Sequence, residues 1–193
     1  MIGAAKIEYY AKLFIGLKPS DILQLIDLAK SRKLEKDELY IKEGDTRKKI
    51  AYIESGLIRA YAVKESGVEK TILLLQEDKF VASHHILILD VPARYNYQVL
   101  EPTLVRELKY EDIDAFLTNR PVLQEARKYF LRQNLAEALI KIESFIMLSP
   151  EERYLDFVEK NPDLSNRVHD KYIASLLGIT PVSLSRIRKR ISK

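Results

Sequence analysis

The sequence contains no cysteine, and this absence excludes several chemistries at once. Without a thiolate the chain forms no disulfide, holds no zinc or iron–sulfur cluster through sulfur, and has no cysteine nucleophile. The absence fits a reducing compartment, so we expect a cytoplasmic protein. Apolar runs are also short: none is longer than that at 86–89, whereas a membrane helix needs about 18 apolar residues. Residues 1–3 open no basic-then-apolar signal segment, and we expect neither a membrane nor a secreted protein.

Glycine and histidine are scarce as well, with six and three residues in the whole chain. Few glycines leave little material for a phosphate-cradling loop, and no Ser-His-Asp spacing or catalytic carboxylate pair is visible. The adjacent His84 and His85 would point in different directions on a strand or a helix, which makes a poor metal site. We therefore predict that the chain is not an enzyme, with no catalytic residue and no metal site.

What the chain does have is ordinary globular material and an uneven distribution of charge. It is 47% hydrophobic and 31% charged, and its 193 residues suit two unequal domains. The net charge is only +4, yet the last 27 residues contain a single acidic residue, Asp170. Such asymmetry favours a terminal module that binds nucleic acid, with a solvated basic tail as the alternative. The basic residues of this segment are Arg167, Lys171, Arg186, Arg188, Lys189, Arg190 and Lys193.

The first two thirds of the chain alternate between a helical and a β-rich pattern. Residues 17–30 carry apolar residues at three- and four-residue spacing after Ser20, which predicts a short amphipathic helix. Residues 34–109 consist of short β-rich runs separated roughly every ten residues by turn signals, as in an antiparallel sandwich or barrel. These turn signals lie at 44–45, 55–56, 66–67 and 101–102.

A helix is predicted over 110–119, and a much longer one follows. Pro121 suits a first helical position, and no Gly or Pro follows it until Pro150, so the pattern predicts a helix over 121–148, roughly 42 Å long. Its apolar residues occupy more than one face, which indicates packing on its own β-domain and on a second copy of itself. Burial within one monomer is the alternative. The predicted dimer contacts are Leu123, Phe130, Leu131, Leu135, Ala138, Ile142 and Phe145.

The C-terminal residues read as a helix-turn-helix. Ser149, with Pro150 after it and Glu152 as its capping-box partner, opens a new helix at a predicted domain boundary. Further on, Gly178 supplies a permissive backbone at the end of one short helix. Thr180 and Pro181 then provide the cap and first residue of the next. Two short helices joined through a glycine-containing turn are typical of modules that place the second helix in a DNA major groove.

The last helix separates its apolar and basic residues. At about 100° per residue, Leu184, Ile187 and Ile191 form a narrow core stripe, while the basic residues project outward. Arg186 suits guanine readout, and Arg188 flanks the stripe and is better placed for packing or phosphate contact. Val182 is either a simple exposed valine or a thymine-methyl contact, and Lys189, Arg190 and Lys193 suit phosphates. The candidate DNA-binding residues are Thr180, Val182, Ser183, Ser185, Arg186, Lys189 and Arg190.

Five parts of the chain carry a family resemblance, in this order: KLEKDELYIKEGD, AYIESGLIRAYAV, SGVEKTILLLQEDKF, the long helix and IASLLGITPVSLSRIRKRI. Together they resemble the CRP/FNR (cyclic-AMP receptor protein) superfamily of transcription regulators. The resemblance implies an α+β fold with an N-terminal antiparallel, jelly-roll-like β-roll, a dimerisation helix and a C-terminal, winged-helix-like helix-turn-helix. The expected divisions are 1–120, 121–148 and 149–193. It also implies a homodimer, RNA polymerase as a protein partner, and palindromic double-stranded DNA with half-sites roughly 34 Å apart.

Two departures from the family pattern bear on ligand and operator. Ala82 and Ser83 stand where nucleotide-binding members carry Gly-Glu, and Arg94 is followed by Tyr95 rather than a small residue. Losing the carboxylate that accepts a ribose hydroxyl costs on the order of 1–3 kcal/mol, which argues against cyclic AMP but leaves a small anionic effector at Arg94 open. Pro181 and Val182 replace an Arg and a Glu of the founding member, so only the Arg186 position carries over. The predicted effector pocket is lined by Ala82, Ser83, His84, His85, Arg94, Tyr95 and Tyr97, with an unoccupied packed core as the alternative.

Three functions stay open at this point. The first is a DNA-binding regulator with or without a small effector, and the second is a regulator that responds to a cyclic nucleotide. The third is a ligand-binding or protein-interaction module whose helix-turn-helix is degenerate. The outward basic face of the last helix favours the first, because a module released from DNA binding has no evident reason to keep it.

Overall fold

A computed structural model describes residues 27–118 and 121–191, excluding the side chains of 117, 121–123, 125–127 and 130. Six strands in this part form one sheet in the order β1-β6-β3-β4, with β2 paired to β6 and β5 paired to β3. Every pair is antiparallel, which confirms the predicted fold class. The strands are β1 (Lys30–Leu34), β2 (Leu39–Ile41), β3 (Lys49–Val63), β4 (Glu69–Leu75), β5 (Phe80–Val81) and β6 (Asn96–Lys109).

Two of the four predicted turns are bulges inside long strands. β3 runs without interruption through 55–56 and β6 through 101–102, and their pairing register shifts between Ile53 and Ile58. Gly56, with φ of +107°, lies so close to β6 that a Cβ there would be 2.2 Å from Thr103 Oγ1. A glycine in a strand often marks such a bulge or a close backbone approach, so its presence alone did not require a turn. The predicted turns around Gly44 and Gly67 are present, both with positive φ.

Most of the described helices follow the local sequence signals, but the short ones at 84–87 and 164–167 were not predicted. The helix predicted over 17–30 lies mostly outside the described residues, and Lys30 instead begins β1, where it pairs with Glu107. The long helix has 27 residues, about 40 Å, and ends one residue before its predicted end. The helices are α1 (His84–Leu87), α2 (Tyr110–Thr118), α3 (Pro121–Met147), α4 (Pro150–Lys160), α5 (Leu164–Arg167), α6 (Asp170–Leu176) and α7 (Pro181–Ile191).

Buried apolar side chains form two clusters. The first fills the β-roll and includes Tyr40, Ile58 and Tyr97. The second joins α4–α7 to the outer surface of the sheet, and its members include Leu57 from β3 as well as Ile173. Successive residues of a strand point to opposite faces, so the centre of β3 is buried on both sides, by the roll on one and by the C-terminal helices on the other.

Candidate DNA-binding surface

The connection between α6 and α7 is built as a capped turn. Gly178 has φ of +71° after the end of α6, a conformation that favours glycine. The Thr180 hydroxyl accepts a hydrogen bond from the Ser183 N–H at 3.1 Å, and Pro181 is the first residue of α7. The predicted cap and helix boundaries are therefore present. The four residues 177–180 separate the two helices, as in a helix-turn-helix.

One side of α7 is buried as the periodicity predicts, with one exception. Leu184 is 0% exposed and Ile187 is 5% exposed, and both belong to the second apolar cluster. Ile191 was predicted to complete this stripe, but it is 43% exposed and lies outside the second apolar cluster. Two buried residues one turn apart are enough to fix which side of α7 faces outward.

The opposite side of α7 carries the exposed polar and basic side chains, and we name it the recognition face. Arg186 and Lys189 are exposed, and within the described residues neither is in an ion pair. Arg190 is exposed too, but it is paired with Glu151 at the start of α4. The recognition face consists of Val182, Ser185, Arg186, Lys189 and Arg190, with Thr180 exposed and Ser183 partly exposed at its N-terminal edge.

Arg188 is held within the C-terminal helices. Its Nε donates to the Tyr154 hydroxyl at 3.0 Å, and its Nη1 lies 2.7 Å from Asp170 Oδ1. These two partners lie on α4 and α6, so the arginine connects three helices of the module. The sequence placed it beside the core stripe, where either packing or phosphate contact was open, and the observed contacts favour packing.

The start of α4 and the end of α3 meet the helix-turn-helix through a second arginine. Arg153 donates from Nη1 to the Leu148 carbonyl at 2.6 Å and from Nε to the Leu177 carbonyl at 3.2 Å, which satisfies two helix-end carbonyls. The Phe145 ring lies against the turn, since a Cβ on Gly178 would be 2.8 Å from its Cε1. The predicted capping box at Ser149 and Glu152 is complete. Sequence reasoning overlooked Arg153, because its carbonyl partners leave no mark in a residue pattern.

The rest of α3 combines a polar contact with its own β-domain and an exposed apolar stripe. Lys141 donates to the Ile72 carbonyl at 2.6 Å, and burial lowers its pKa. Lys79 and Glu137 form an exposed ion pair beside it. Of the predicted dimer contacts, the side chains of Leu123 and Phe130 lie outside the described residues. The others, Leu131, Leu135, Ala138, Ile142 and Phe145, are all exposed.

Several residues of the predicted effector pocket contact one another or cap a helix. Ser83 is only 2% exposed and caps α1 by accepting from the Ile86 N–H at 3.5 Å. The Tyr97 hydroxyl donates to the Ala82 carbonyl at 3.0 Å, and burial raises the pKa of Tyr97. The His85 ring packs edge-on against Tyr95 at 4.9 Å.

One buried polar atom in this region is nevertheless unpaired within the described chain. The buried Nδ1 of His85 has no hydrogen-bond partner among the described residues. Burial, followed by the charge of His85, lowers the pKa of the neighbouring His84, although part of that side chain reaches solvent. Ala82, Ser83, His85, Tyr95 and Tyr97 thus lie together, whereas His84 and Arg94 are exposed.

Within residues 27–118 and 121–191, no helix is long and apolar enough to cross a membrane. The same residues contain no group of three or more His, Asp or Glu side chains arranged to hold a metal ion.

Comparison with known proteins agrees with this architecture. The sequence profile of the cyclic nucleotide-binding domain matches residues 31–120. The anaerobic regulatory protein of Haemophilus influenzae is 26% identical in an alignment that covers 92% of this chain and 73% of that protein.

Two solved structures have a similar fold. FixK2 from Bradyrhizobium japonicum superposes with a TM-score of 0.73 at 18% identity, covering 85% of this chain and 84% of that one. The c-di-GMP-responsive global regulator CLP of Xanthomonas campestris superposes with a TM-score of 0.71 at 15% identity, covering 91% and 92%.

The class is that of regulators in which a cyclic-nucleotide-binding type of β-roll precedes a long helix and a helix-turn-helix. The comparisons support the resemblance to the CRP/FNR superfamily of transcription regulators. The resemblance drawn from the sequence is thereby confirmed.

Proposed function

We propose that the chain is a sequence-specific DNA-binding regulator that binds palindromic sites as a homodimer. The observation that carries the proposal is the arrangement of α7. Buried Leu184 and Ile187 turn its other side outward, and Arg186 and Lys189 project from that side without an ion-pair partner in the described chain. Free cations on a short capped helix suit both phosphate contact and base readout in a major groove.

The recognition face suggests a role for each side chain. Arg186 is suited to guanine O6 and N7, and Thr180, Ser183 and Ser185 lie near the start of α7, where base edges are usually met. Val182, 61% exposed, is suited to a thymine methyl. Lys189 and Arg190 are suited to phosphates. Arg190 is only loosely engaged by Glu151, because that pair is open to solvent.

The exposed stripe of α3 supports the homodimer. Leu135 is 61% exposed and Ile142 is 56% exposed, and neighbouring residues of the same helix, Ile146 and Met147, are about three quarters exposed. A contiguous apolar surface of this kind commonly marks an interface. We propose that a second copy covers it, with 1–120 as the β-roll domain, 121–148 as the dimerisation helix and 149–193 as the DNA-binding domain.

The dimer is tested by sedimentation of Leu135→Glu. We expect this variant to sediment as a monomer at concentrations at which the wild type is a dimer. Leu155→Glu is the control, because Leu155 is 45% exposed but lies on α4. A wild type that sediments as a monomer would contradict the dimer.

The burial of Ser83 and Tyr97, together with the missing carboxylate at position 83, supports regulation without cyclic AMP, with a small anion at Arg94 as the remaining effector class. Calorimetry with cyclic AMP and cyclic GMP tests this, and stoichiometric tight binding of either nucleotide would show that the nucleotide-responsive alternative is correct. RNA polymerase is the expected protein partner of the DNA-bound dimer. Its contact is testable by supershift of the protein–DNA complex.

DNA binding is tested by mobility shift at several salt concentrations, on fragments from upstream of the protein's own gene and on duplexes selected from a random pool. We expect the affinity to fall steeply with salt, since phosphate contacts release counterions. Arg186→Ala should weaken binding to the selected duplex about thirtyfold. Arg106→Ala, which removes an arginine paired with Glu54 in the β-domain, should not. Salt-independent binding, or selective binding that Arg186→Ala leaves unchanged, would favour a protein-interaction module instead.

A further inference from the structure

Arg167, the last residue of α5, crosses from the C-terminal helices to the β-domain. Its Nη1 and Nη2 donate to the two carboxylate oxygens of Glu77 at 3.0 and 2.9 Å. Nη2 also contacts the Glu101 carboxylate on β6 and the Gly56 carbonyl on β3. One guanidinium therefore binds three separate segments of the β-domain. Arginine suits such a forked arrangement because its donors lie in one plane.

The acceptor side of this contact is itself held in place. Glu77, in the loop between β4 and β5, accepts from the Gly56 N–H at 2.8 Å, at the point where Gly56 forms the bulge of β3. Arg167, Glu77 and Glu101 are each about one third exposed or less. At the bulge, the Gly56 N–H thus contacts Glu77 and the Gly56 carbonyl contacts Arg167, so both backbone groups belong to one ion-pair cluster.

A second group of contacts fixes the same two parts of the chain farther along the sheet. The Ser175 hydroxyl on α6 accepts from the Thr71 N–H of β4 at 2.8 Å. The Tyr172 ring lies 3.8 Å from the Arg59 guanidinium, which is itself only 2% exposed. Leu57 lies in the apolar cluster of the C-terminal helices. Polar contacts at two separated points define an orientation, which an apolar contact alone does not.

This docking leaves the recognition face open. Arg186 and Lys189 are exposed while Arg167 is bound to the β-domain, so the docked arrangement does not block DNA. A helix held in advance in its binding orientation loses less conformational freedom when it binds. In a dimer, two such helices would also be held at one separation, and a palindrome demands a particular separation.

We propose that Arg167, Glu77 and Glu101 form an interdomain latch that fixes the orientation of α7 relative to the β-domain and so determines which half-site spacing the dimer accepts. The inference rests on the proposed function for its DNA component. Arg167 is a positioning residue, since it faces the β-domain and acts on DNA only through the orientation of α7.

The experiment uses the full-length protein in two independent measurements. The first, without DNA, is hydrogen exchange of β4 and α6, including the Thr71 amide. The second is affinity for a series of duplexes that carry the wild type's selected half-sites with zero, one or two base pairs inserted or removed between them. Arg167→Ala is the test variant, Arg167→Lys keeps the charge without the fork, and Arg106→Ala removes an arginine–carboxylate pair elsewhere in the β-domain.

We expect Arg167→Ala to raise exchange in β4 and α6 and to lower affinity for the preferred spacing about tenfold, the scale of one lost charge-assisted contact. It should also discriminate less between spacings than the wild type does. Arg167→Lys should be intermediate, and Arg106→Ala should match the wild type in both measurements.

Three results would overturn the latch. The first is unchanged exchange in Arg167→Ala, and the second is raised exchange with an unchanged spacing profile. The third is tighter DNA binding by Arg167→Ala, which would show that docking is inhibitory. If the wild type bound no duplex at all, the proposed function would fail together with the spacing claim, while the exchange measurement would still report whether Arg167 holds the two parts together.

Discussion

The basic residues on two sides of the C-terminal helices differ in whether they form ion pairs. Towards the β-sheet, Arg167 is bound by Glu77 and Glu101. On the recognition face, Arg186 and Lys189 have no ion pair within the described chain. The difference teaches that a basic segment does not by itself locate a DNA surface. A paired arginine stabilises a packed arrangement, whereas an unpaired one on an outward helix is available to a base or a phosphate.

The side of the C-terminal helices that packs against the β-sheet is called the docking side here. We expect the largest loss of stability on this side from a substitution at Gly56. In Gly56→Ala a Cβ would overlap Thr103 at a backbone φ of +107°, so we expect the free energy of unfolding to fall by about 3 kcal/mol. Denaturant unfolding followed by circular dichroism measures it. Gly67→Ala is the control, because Gly67 also has a positive φ but no atom lies within 4 Å of its added Cβ. Equal losses in the two variants would contradict close packing at the bulge.

The recognition face is tested by comparing alanine variants of two arginines on α7. We expect Arg186→Ala to weaken selected-site binding by about 2 kcal/mol, roughly thirtyfold in Kd, with little change in unfolding. Arg188→Ala removes contacts to Tyr154 and Asp170, so it should lower the free energy of unfolding by about 1 kcal/mol. Fluorescence anisotropy and denaturant unfolding measure the two effects. The comparison fails if Arg186→Ala destabilises the fold as much as Arg188→Ala.

A smaller effect on stability is expected at Thr180, the N-terminal cap of α7. Thr180→Ala removes the acceptor for the Ser183 N–H and should lower the free energy of unfolding by about 1 kcal/mol. Thr180→Ser keeps the hydroxyl and should retain most of that stability. Thermal unfolding of both variants measures the difference. A serine variant no more stable than the alanine variant would indicate that the hydroxyl is not the stabilising group.

The smallest effect we expect is the contribution of Glu77 to the pH dependence of the free energy of unfolding. Burial alone would raise the pKa of Glu77, but hydrogen bonds from Arg167 and from the Gly56 backbone lower it below its ordinary value. A carboxyl with a lowered folded-state pKa stabilises the fold above its unfolded pKa, and this contribution is lost as the pH falls through the folded pKa. Below about pH 4.5 we therefore expect the wild type to lose up to roughly 1 kcal/mol more than Glu77→Gln, because the site is partly open to solvent. Parallel loss in both proteins, in denaturant unfolding at stepped pH, would contradict a lowered pKa.

Local signals predicted much of the candidate site. Ser149 with Glu152, Thr180 with Pro181, and the positive φ of Gly178 all follow from residues within one helical turn of each other. The same local logic failed at 55–56 and 101–102, because a Ser-Gly or Glu-Pro pair is compatible with a turn or with a bulge. Only pairing of β3 with β6 over their full lengths decides between the two.

The sequence by itself determined the order of the parts, the caps, the buried stripe of α7 and the outward position of Arg186, since these depend on periodicity and on neighbours a few residues away. Tertiary structure alone decided which cations are already engaged. Arg167 meets Glu101 and Glu77 across 66 and 90 residues of chain, and Arg188 meets Tyr154 across 34. A charge's availability depends on what folding brings beside it, and that is a property of three-dimensional packing rather than of local pattern.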